Sequence, residues 1–420
     1  MLDFLELQIV YTTILARYER KVAPRVLVDG ARVGVAAALI ASGIRDANLP
    51  FTPARVDAGA GEDLVDALVL RQLARYGTRL DAHRLVQAAV AGELAALDDP
   101  YSLLFRPQAF KKFNAFLGNE TFGGIGAVVS FEATRAYVDR VLPGSPAERG
   151  GIARRDELVS VDGRDVTALG AAGLRDALRG KIGTPVSIVY RASAGSATST
   201  VTLVRAAVRD PEVTTARFGD VAYVALSRFG DRSGAEVAAA LRDARSDGAR
   251  AVVFDLRANG GGYGDEATAV ASAFLRSGPV FTTRERGGAT TVATATGKPE
   301  WTGPLAVLVD GDTASAAEIV AGAVKDDGLG TIVGARTFGK GVVQSVFPLP
   351  DGSAVKLTTA RYTTPNGTDI DKRGIVPDVA VSEPRGATAG DPSTDPQLAR
   401  ALEILNAAAV APAPSVAPRR

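Results

Sequence analysis

Three hydrophobic patterns follow one another along the chain. Over residues 1–117 apolar positions recur at helical spacing, as at Leu2, Leu5 and Ile9 and again at Leu85, Ala89, Leu94 and Leu97. From 118 to 206 the period shortens to two, predicting strands at 128–131, 137–141, 157–161, 186–190 and 200–204. Short helices fit between them at 146–149 and 171–178. From 207 to 384 the strands become continuous apolar runs (221–226, 251–256, 305–309), separated by helical stretches at 233–245, 267–275 and 315–324. Runs of that kind are strands buried on both faces, so this region reads as α/β layers. Residues 385–420 hold one short helix, 396–405, and a Pro/Ala-rich end expected to be a flexible tail.

Four regions result: helices to 117, a small β-rich module at 118–206, an α/β body at 207–384, and a helix with tail at 385–420. The first contains an internal similarity. Tyr18 to Leu39 lies on Tyr76 to Leu97 without a gap at an offset of 58, with Tyr, Leu-Val, Gly and Ala-Ala-Leu coinciding. Two copies are too few for a solenoid. They predict a pair of similar helical hairpins suited to packing or to dimerisation.

Composition removes chemistry more than it adds any. The 420 residues are 46% apolar and 23% charged with a net charge of +1, a globular balance without the basic stripe that nucleic acid requires. With no Cys there is neither a thiol nucleophile nor a Cys-ligated metal, and the one histidine, His83, sits in an Ala/Leu-rich helix. A multi-His metal centre is excluded, and a Ser-His-Asp triad would have to recruit His83 from that helix. No metal and no cofactor is implied. No window approaches the ~20 uninterrupted apolar residues of a spanning helix. The first residues carry Asp3 and Glu6 where a secretory signal would carry Lys or Arg.

The remaining candidate for acyl-transfer chemistry is a serine with a lysine base. Ser315 stands where the run 305–309 turns into a helix. As a plain cap it would form a capping box with Glu318; as a nucleophile it would gain from the helix's free N–H groups, Ala316 first among them. The loop from Arg257 to Gly264 follows the strand 251–256 and is rich in glycine, which lets backbone approach a substrate; Gly261 is the expected second donor. Neighbouring parallel strands would bring both loops to one sheet edge. Lys340, one of only nine lysines, lies between Gly339 and Gly341 ahead of two valines. Desolvation there would lower its pKa, and Gln344, four residues on and on the same face, would hold the amine without charging it.

TASAAEIVAGAVKD (313–326), GKGVVQ (339–344) and DLRANGGG (255–262) together resemble the carboxy-terminal processing proteases, also called tail-specific proteases. The resemblance extends through LDDPYS (97–102), GGIGA (123–127), PGSPAERGGI (143–152), YTTPNG (362–367) and GIVPDVAV (374–381), covering about residues 76–381. It implies Ser315 as nucleophile, Lys340 as base and Gln344 as its orienting partner. It also implies a PDZ domain at 118–206, whose Gly124, Ile125, Gly126 and Ala127 hold a peptide's terminal carboxylate, and a crotonase-like α/β protease core. The expected substrates are proteins with apolar C-terminal tails, and the expected setting is the cell envelope or outside the cell, with a homodimer through the helical region. The competing expectation is a PDZ adaptor with a silent protease core. Two residues depart from the family pattern. Arg154-Arg155-Asp156 replaces the usual Pro-Gly-Asp turn, and Gly260 replaces a common Pro in the loop before Gly261.

Overall fold

The computed structural model describes residues 2–45, 48–118, 121–132, 135–142, 144–193, 195, 197–209, 211–382 and 390–410. They fall into two units, Met1–Leu117 with Glu212–Arg420, and Gly118–Pro211.

The larger unit is built on a six-stranded sheet in the order Val213–Phe218, Val221–Leu226, Ala251–Asp255, Leu305–Val309, Thr331–Gly334, Val379–Ala380. After the first, antiparallel pair all neighbours run parallel. Every residue of Ala251–Asp255 and Leu305–Val309 is buried. Helices Ser233–Ser246, Gly264–Ser272 and Ala316–Asp326 cover one face through residues such as Leu241, Val270 and Val320. The opposite face is covered by the helix Pro396–Val410, whose Leu398, Ala401 and Leu405 meet Val253, Ala306 and Leu308. Burying a leucine fully is worth roughly 1.5–3 kcal/mol, so this helix is a layer of the fold and not an appendage to the tail. The tail expected at 411–420 lies outside the described residues.

A second sheet in the same unit joins Leu103–Phe105, Pro279–Glu285, Thr290–Thr294, Val342–Pro348 and Ala354–Thr363. Ala354–Thr363 is its axis, paired with Val342–Pro348 along one edge and with Leu103–Phe105 and Pro279–Glu285 along the other. Hydrophobic periodicity did not predict it. Thr282, Thr283, Thr290 and Thr291 suit a pleated, partly exposed surface but give no apolar alternation.

Helices Leu2–Arg17, Pro24–Ala41, Ala58–Tyr76 and Ala82–Ala95 share one core with Val355 and Leu357 of that second sheet and with Leu349 of its turn. The internal similarity acquires a structural meaning here, although each copy forms a single long helix, Pro24–Ala41 or Ala82–Ala95, and not the expected hairpin. Gly30 packs on Gly92, and Gly34 packs on Ala88: a Cβ at Gly34 would lie 1.9 Å from the Ala88 carbonyl oxygen, and one at Gly30 would lie 2.5 Å from that of Gly92. At the offset of 58, residue 30 corresponds to 88 and residue 34 to 92. The two copies therefore cross by a reciprocal contact, as related subunits do across a two-fold axis. His83 ends as a helix residue beside Asp351, with its Nε2 3.5 Å from the carboxylate.

The smaller unit is a sheet of Ala127–Glu132, Arg135–Val141, Glu157–Val161, Pro185–Arg191 and Thr198–Val204, with Arg164–Asp165 paired to Glu157–Val161. Helices Pro146–Arg149 and Val166–Leu178 complete it, the latter broken by Gly170 at φ 64°. Ala206–Val208 then pairs with Phe122–Gly124, so the chain stays in this unit through Pro211, past the boundary read at 206.

Candidate active site

The strand Leu305–Val309 ends in a turn organised by Asp310, whose carboxylate accepts the N–H groups of Asp312 (3.0 Å) and Thr313 (2.8 Å). The Ala314 N–H donates to the Asn259 carbonyl at 2.9 Å, which ties this turn to the glycine loop after Ala251–Asp255. Ser315 follows at φ 57°, ψ −118°. That is the backbone of the first central residue of a type II′ turn, which glycine alone adopts without strain. The extended conformation usual for an N-cap is absent. The helix Ala316–Asp326 starts at the next residue, with Ala316 through Val324 buried. The conformation thus presents a hydroxyl at the positive end of a buried helix.

The glutamate half of the expected capping box carries more than a cap. Glu318 is 0% exposed and accepts from the Ser315 N–H (2.9 Å), the Lys340 N–H (2.9 Å), the Gly339 N–H (2.7 Å) and the Thr337 hydroxyl. One carboxylate therefore fixes the backbone of the serine elbow and of the lysine loop together. Gly339, at φ 87°, is needed where the loop passes Arg373 and Gly374, since a Cβ would sit 2.8 Å from each amide nitrogen. The sequence reading recognised Glu318 only as a capping partner, because its second set of donors lies 19–22 residues away in sequence.

Ser315, Lys340, Gln344, Gly260, Gly261 and Ala316 line one cavity of about 720 Å³. Burial, and next the charge of Lys356, lower the Lys340 amine to about 8, while Glu318 and Asp99 pull the other way. The amine lies 5.3 Å from the centre of the Tyr101 ring. Among the described residues no hydrogen bond joins Lys340 Nζ to Ser315 Oγ or to Gln344, and the buried Gln344 Nε2 has no partner. The serine and lysine are in one chamber, and the proton path between them is not closed. Lys340 itself precedes the strand Val342–Pro348, and the pairing with Ala354–Thr363 slips between Val343 and Gln344. The expectation that Lys340 and Gln344 share a face of one regular element is therefore corrected: a loop residue and a strand residue line one chamber on either side of an irregular pairing, of the kind often found beside functional sites.

Gly261 packs directly on the serine elbow. A Cβ there would come within 2.8 Å of Ser315 Cβ and 2.9 Å of the Ala316 nitrogen, and φ is 93°. Its own N–H, however, donates to Asn259 Oδ1 at 2.9 Å, a bond that competes with the oxyanion role expected of it. Asn259 is fully buried and its Nδ2 donates to the Leu226 carbonyl. Gly260 has open space where a Cβ would stand, so the residue found there in place of proline meets no steric demand. Arg257 anchors the base of the loop, bridging the buried Asp255 (2.6 Å) and Asp395 (2.7 Å). Tyr362, also buried, donates its hydroxyl to the Ser315 carbonyl at 3.2 Å. Asn259 and Tyr362 lie within the motifs DLRANGGG and YTTPNG, but nothing in the sequence assigned either of them a part in the site.

In the smaller unit Gly124, Ile125, Gly126 and Ala127 line a separate cavity of about 330 Å³ with Leu174 and Leu178 of the facing helix. The loop is held by the Ile125 carbonyl, which accepts from Ala147, and the Gly126 carbonyl, which accepts from Leu142, both at 2.8 Å. The Arg179 guanidinium stacks 3.8 Å over the Phe122 ring, and both residues line this cavity. The departure at 154–156 is resolved: Arg155 adopts φ 72°, the left-handed conformation that the family's glycine supplies. Asp156 keeps the turn closed by accepting the N–H of Ala153 (2.8 Å) and of Ser193 (3.0 Å).

Comparison with known proteins agrees with both units. Residues 220–381 match the model of peptidase family S41, and residues 137–191 match that of the PDZ domain. A carboxyl-terminal-processing protease of Picosynechococcus sp. is 36% identical over 323 residues, spanning 76% of this chain and 78% of that protein. A carboxy-terminal-processing protease of Bartonella bacilliformis is 33% identical over 331 residues, spanning 75% of this chain and 76% of that protein. Among solved structures, a photosystem II D1 C-terminal processing protease superposes with a TM-score of 0.52 at 27% identity, covering 94% of this chain and 96% of its own. The α/β core, the PDZ module and these relatives place the chain among the carboxyl-terminal-processing proteases, the PDZ-bearing serine peptidases of family S41.

Proposed function

We propose that this peptidase cleaves proteins near their carboxyl ends with Ser315 as nucleophile and Lys340 as base. The observation that carries the reading is the strained Ser315 elbow at a helix N-terminus, sharing one chamber with an amine lowered to about 8. Ser315 Oγ attacks the scissile carbonyl and the neutral Lys340 amine takes its proton. The ammonium so formed then protonates the leaving amine, and water repeats the sequence to release the acyl group. The Ala316 N–H, with that of Gly261 once freed from Asn259, stabilises the oxyanion. Gln344 orients the lysine. The PDZ loop at Gly124 to Ala127 receives the substrate's terminal carboxylate, and the tail adds as a strand to the domain's edge. Apolar tails, a homodimer through the helical region and an envelope or extracellular setting remain the expected circumstances of this activity. Among the described residues no helix is long and apolar enough to cross a membrane.

The test is cleavage of an unfolded protein ending in an apolar tail. Ser315→Ala and Lys340→Ala should each remove turnover, and kcat/KM of the parent should rise with pH through about 8 as the amine loses its proton. Parent-like rates in either variant would refute the dyad. The missing Ser315–Lys340 hydrogen bond favours one refinement, a resting enzyme that a bound tail completes. A tail peptide added in trans should then speed cleavage of a second substrate; no acceleration at saturation would remove the refinement and leave the dyad standing.

A further inference from the structure

We propose that Lys356 is a positioning residue for this reaction, a second cation fixed in the Ser315 chamber that acts by its charge on the Lys340 amine. The inference rests on the reading of Lys340 as the base. Sheet register places the residue: in the pairing of Val342–Pro348 with Ala354–Thr363, Lys356 lies opposite Val346, and Gln344 opposite Thr358. Lys356 is thus the diagonal neighbour of Gln344, a separation of roughly 7–8 Å in an antiparallel ladder. Its own strand neighbours Val355 and Leu357, 1% and 0% exposed, point the other way into the helical core. Lys356 lines the chamber together with Ser315, Lys340 and Gln344. Its ammonium lies 5.6 Å from the centre of the Phe105 ring, itself stacked on Phe113, which lines the same chamber. The head group is therefore held against an aromatic face; burial lowers its own pKa, and the charge of Asp99 opposes that by favouring the ammonium.

A solvated surface lysine would be screened. This one is half-buried on a chamber wall, where the effective dielectric is lower and a like charge several ångströms away is felt. Two carboxylates act on Lys340, Glu318 from the helix Ala316–Asp326 and Asp99 from the segment before Leu103–Phe105, both favouring its protonated form; the Tyr101 ring also faces the amine, and Arg228, Asp231, Asp265 and Glu266 line the same chamber. Glu318 already meets four donors of the elbow and the lysine loop. Lys356 is the charge that opposes both carboxylates. A cation set beside a reactive lysine is a known way to keep an amine unprotonated near neutral pH.

The measurement is the pH dependence of kcat/KM for the full chain with Lys356→Met, Lys356→Gln and Lys356→Arg. Removing the charge should move the midpoint upward by about one unit, so that kcat/KM near pH 7 falls roughly tenfold and recovers at high pH. Lys356→Arg, which keeps a cation, should retain the parent midpoint. A lysine that merely packs in the strand would lower activity equally at every pH, or would affect Met and Arg alike; either result overturns the proposal. A second readout needs no turnover. In a Ser315→Ala background, acylation of Lys340 by an amine reagent, followed by mass spectrometry against pH, should show the same upward shift with Met or Gln at 356. An unmoved labelling midpoint overturns the proposal even if one variant folds poorly. Lys340→Ala separates the two ideas. If it retains activity, the base assignment itself is wrong; if it is inert while the Lys356 variants keep the parent midpoint, only the role of Lys356 fails.

Discussion

Two glutamates of this chain are equally inaccessible, and their surroundings differ in kind. Glu318, buried behind the serine elbow and the lysine loop, meets three backbone N–H groups and a hydroxyl. Glu93, in the helical region, is also 0% exposed, and neither of its carboxylate oxygens has a partner among the described residues. Burial, and then the nearby Asp66, hold the Glu93 carboxyl well above its ordinary range, favouring its neutral form. The phenol of Tyr11, close by, is likewise unpartnered and is pushed up to about 12, chiefly by burial. A buried carboxylate with matched donors organises what surrounds it, whereas one without them weakens the core it occupies. The fold has invested polar complementarity beside the chamber and left the helical region with a charge it must suppress.

The largest effect should come from removing the matched carboxylate. Glu318→Ala leaves several buried donors unanswered and frees the elbow from the lysine loop. We expect a loss of about 3–5 kcal/mol in denaturant unfolding and, in protein that remains folded, a fall of about 10²-fold in kcat. Near-parent kcat in a folded Glu318→Ala protein would show that the four hydrogen bonds do not set the geometry of the site.

The opposite sign is expected at Glu93. Its folded pKa is raised, so its stabilising contribution is fully present below the unfolded value of about 4.3 and is lost as pH rises toward the folded value. Above pH ~4.3 the unfolded chain releases this proton and the folded one keeps it, so parent stability should decline by up to about 1.4 kcal/mol per unit. Glu93→Leu should abolish that slope and stabilise the protein near pH 8 by about 1–4 kcal/mol, as replacing buried charge by apolar surface often does. A parent and variant with parallel pH–stability curves would mean that the Glu93 carboxyl does not hold its proton in the folded state.

The contrast also explains what could be read before any coordinates. The parallel sheet was legible because its strands are uninterrupted apolar runs, and the runs 221–226 and 305–309 match Val221–Leu226 and Leu305–Val309 residue for residue. Ser315, Lys340 and Gln344 were legible as motif positions, and they do line one chamber. The second sheet was not: Pro279–Glu285 and Thr290–Thr294 are rich in threonine, and the apolar positions of Val342–Pro348 and Ala354–Thr363 are broken by Gln344, Ser345, Thr358 and Thr359. Nor was the shared role of Glu318, which depends on a loop some twenty residues downstream folding back over the helix. The pairing that places Lys356 near Gln344 is a property of hairpin register, and register cannot be counted from a sequence without the turn.

The serine elbow has an evolutionary corollary. At φ 57°, ψ −118° glycine would be relaxed where serine is not, so Ser315→Gly should raise the unfolding free energy by about 1 kcal/mol, read as a higher melting temperature, while leaving an inert protein. An unchanged or lower melting temperature would mean that the serine is not strained. If the gain is observed, folding stability by itself favours decay of this lineage into non-enzymes, and only the demand for turnover keeps a hydroxyl at position 315.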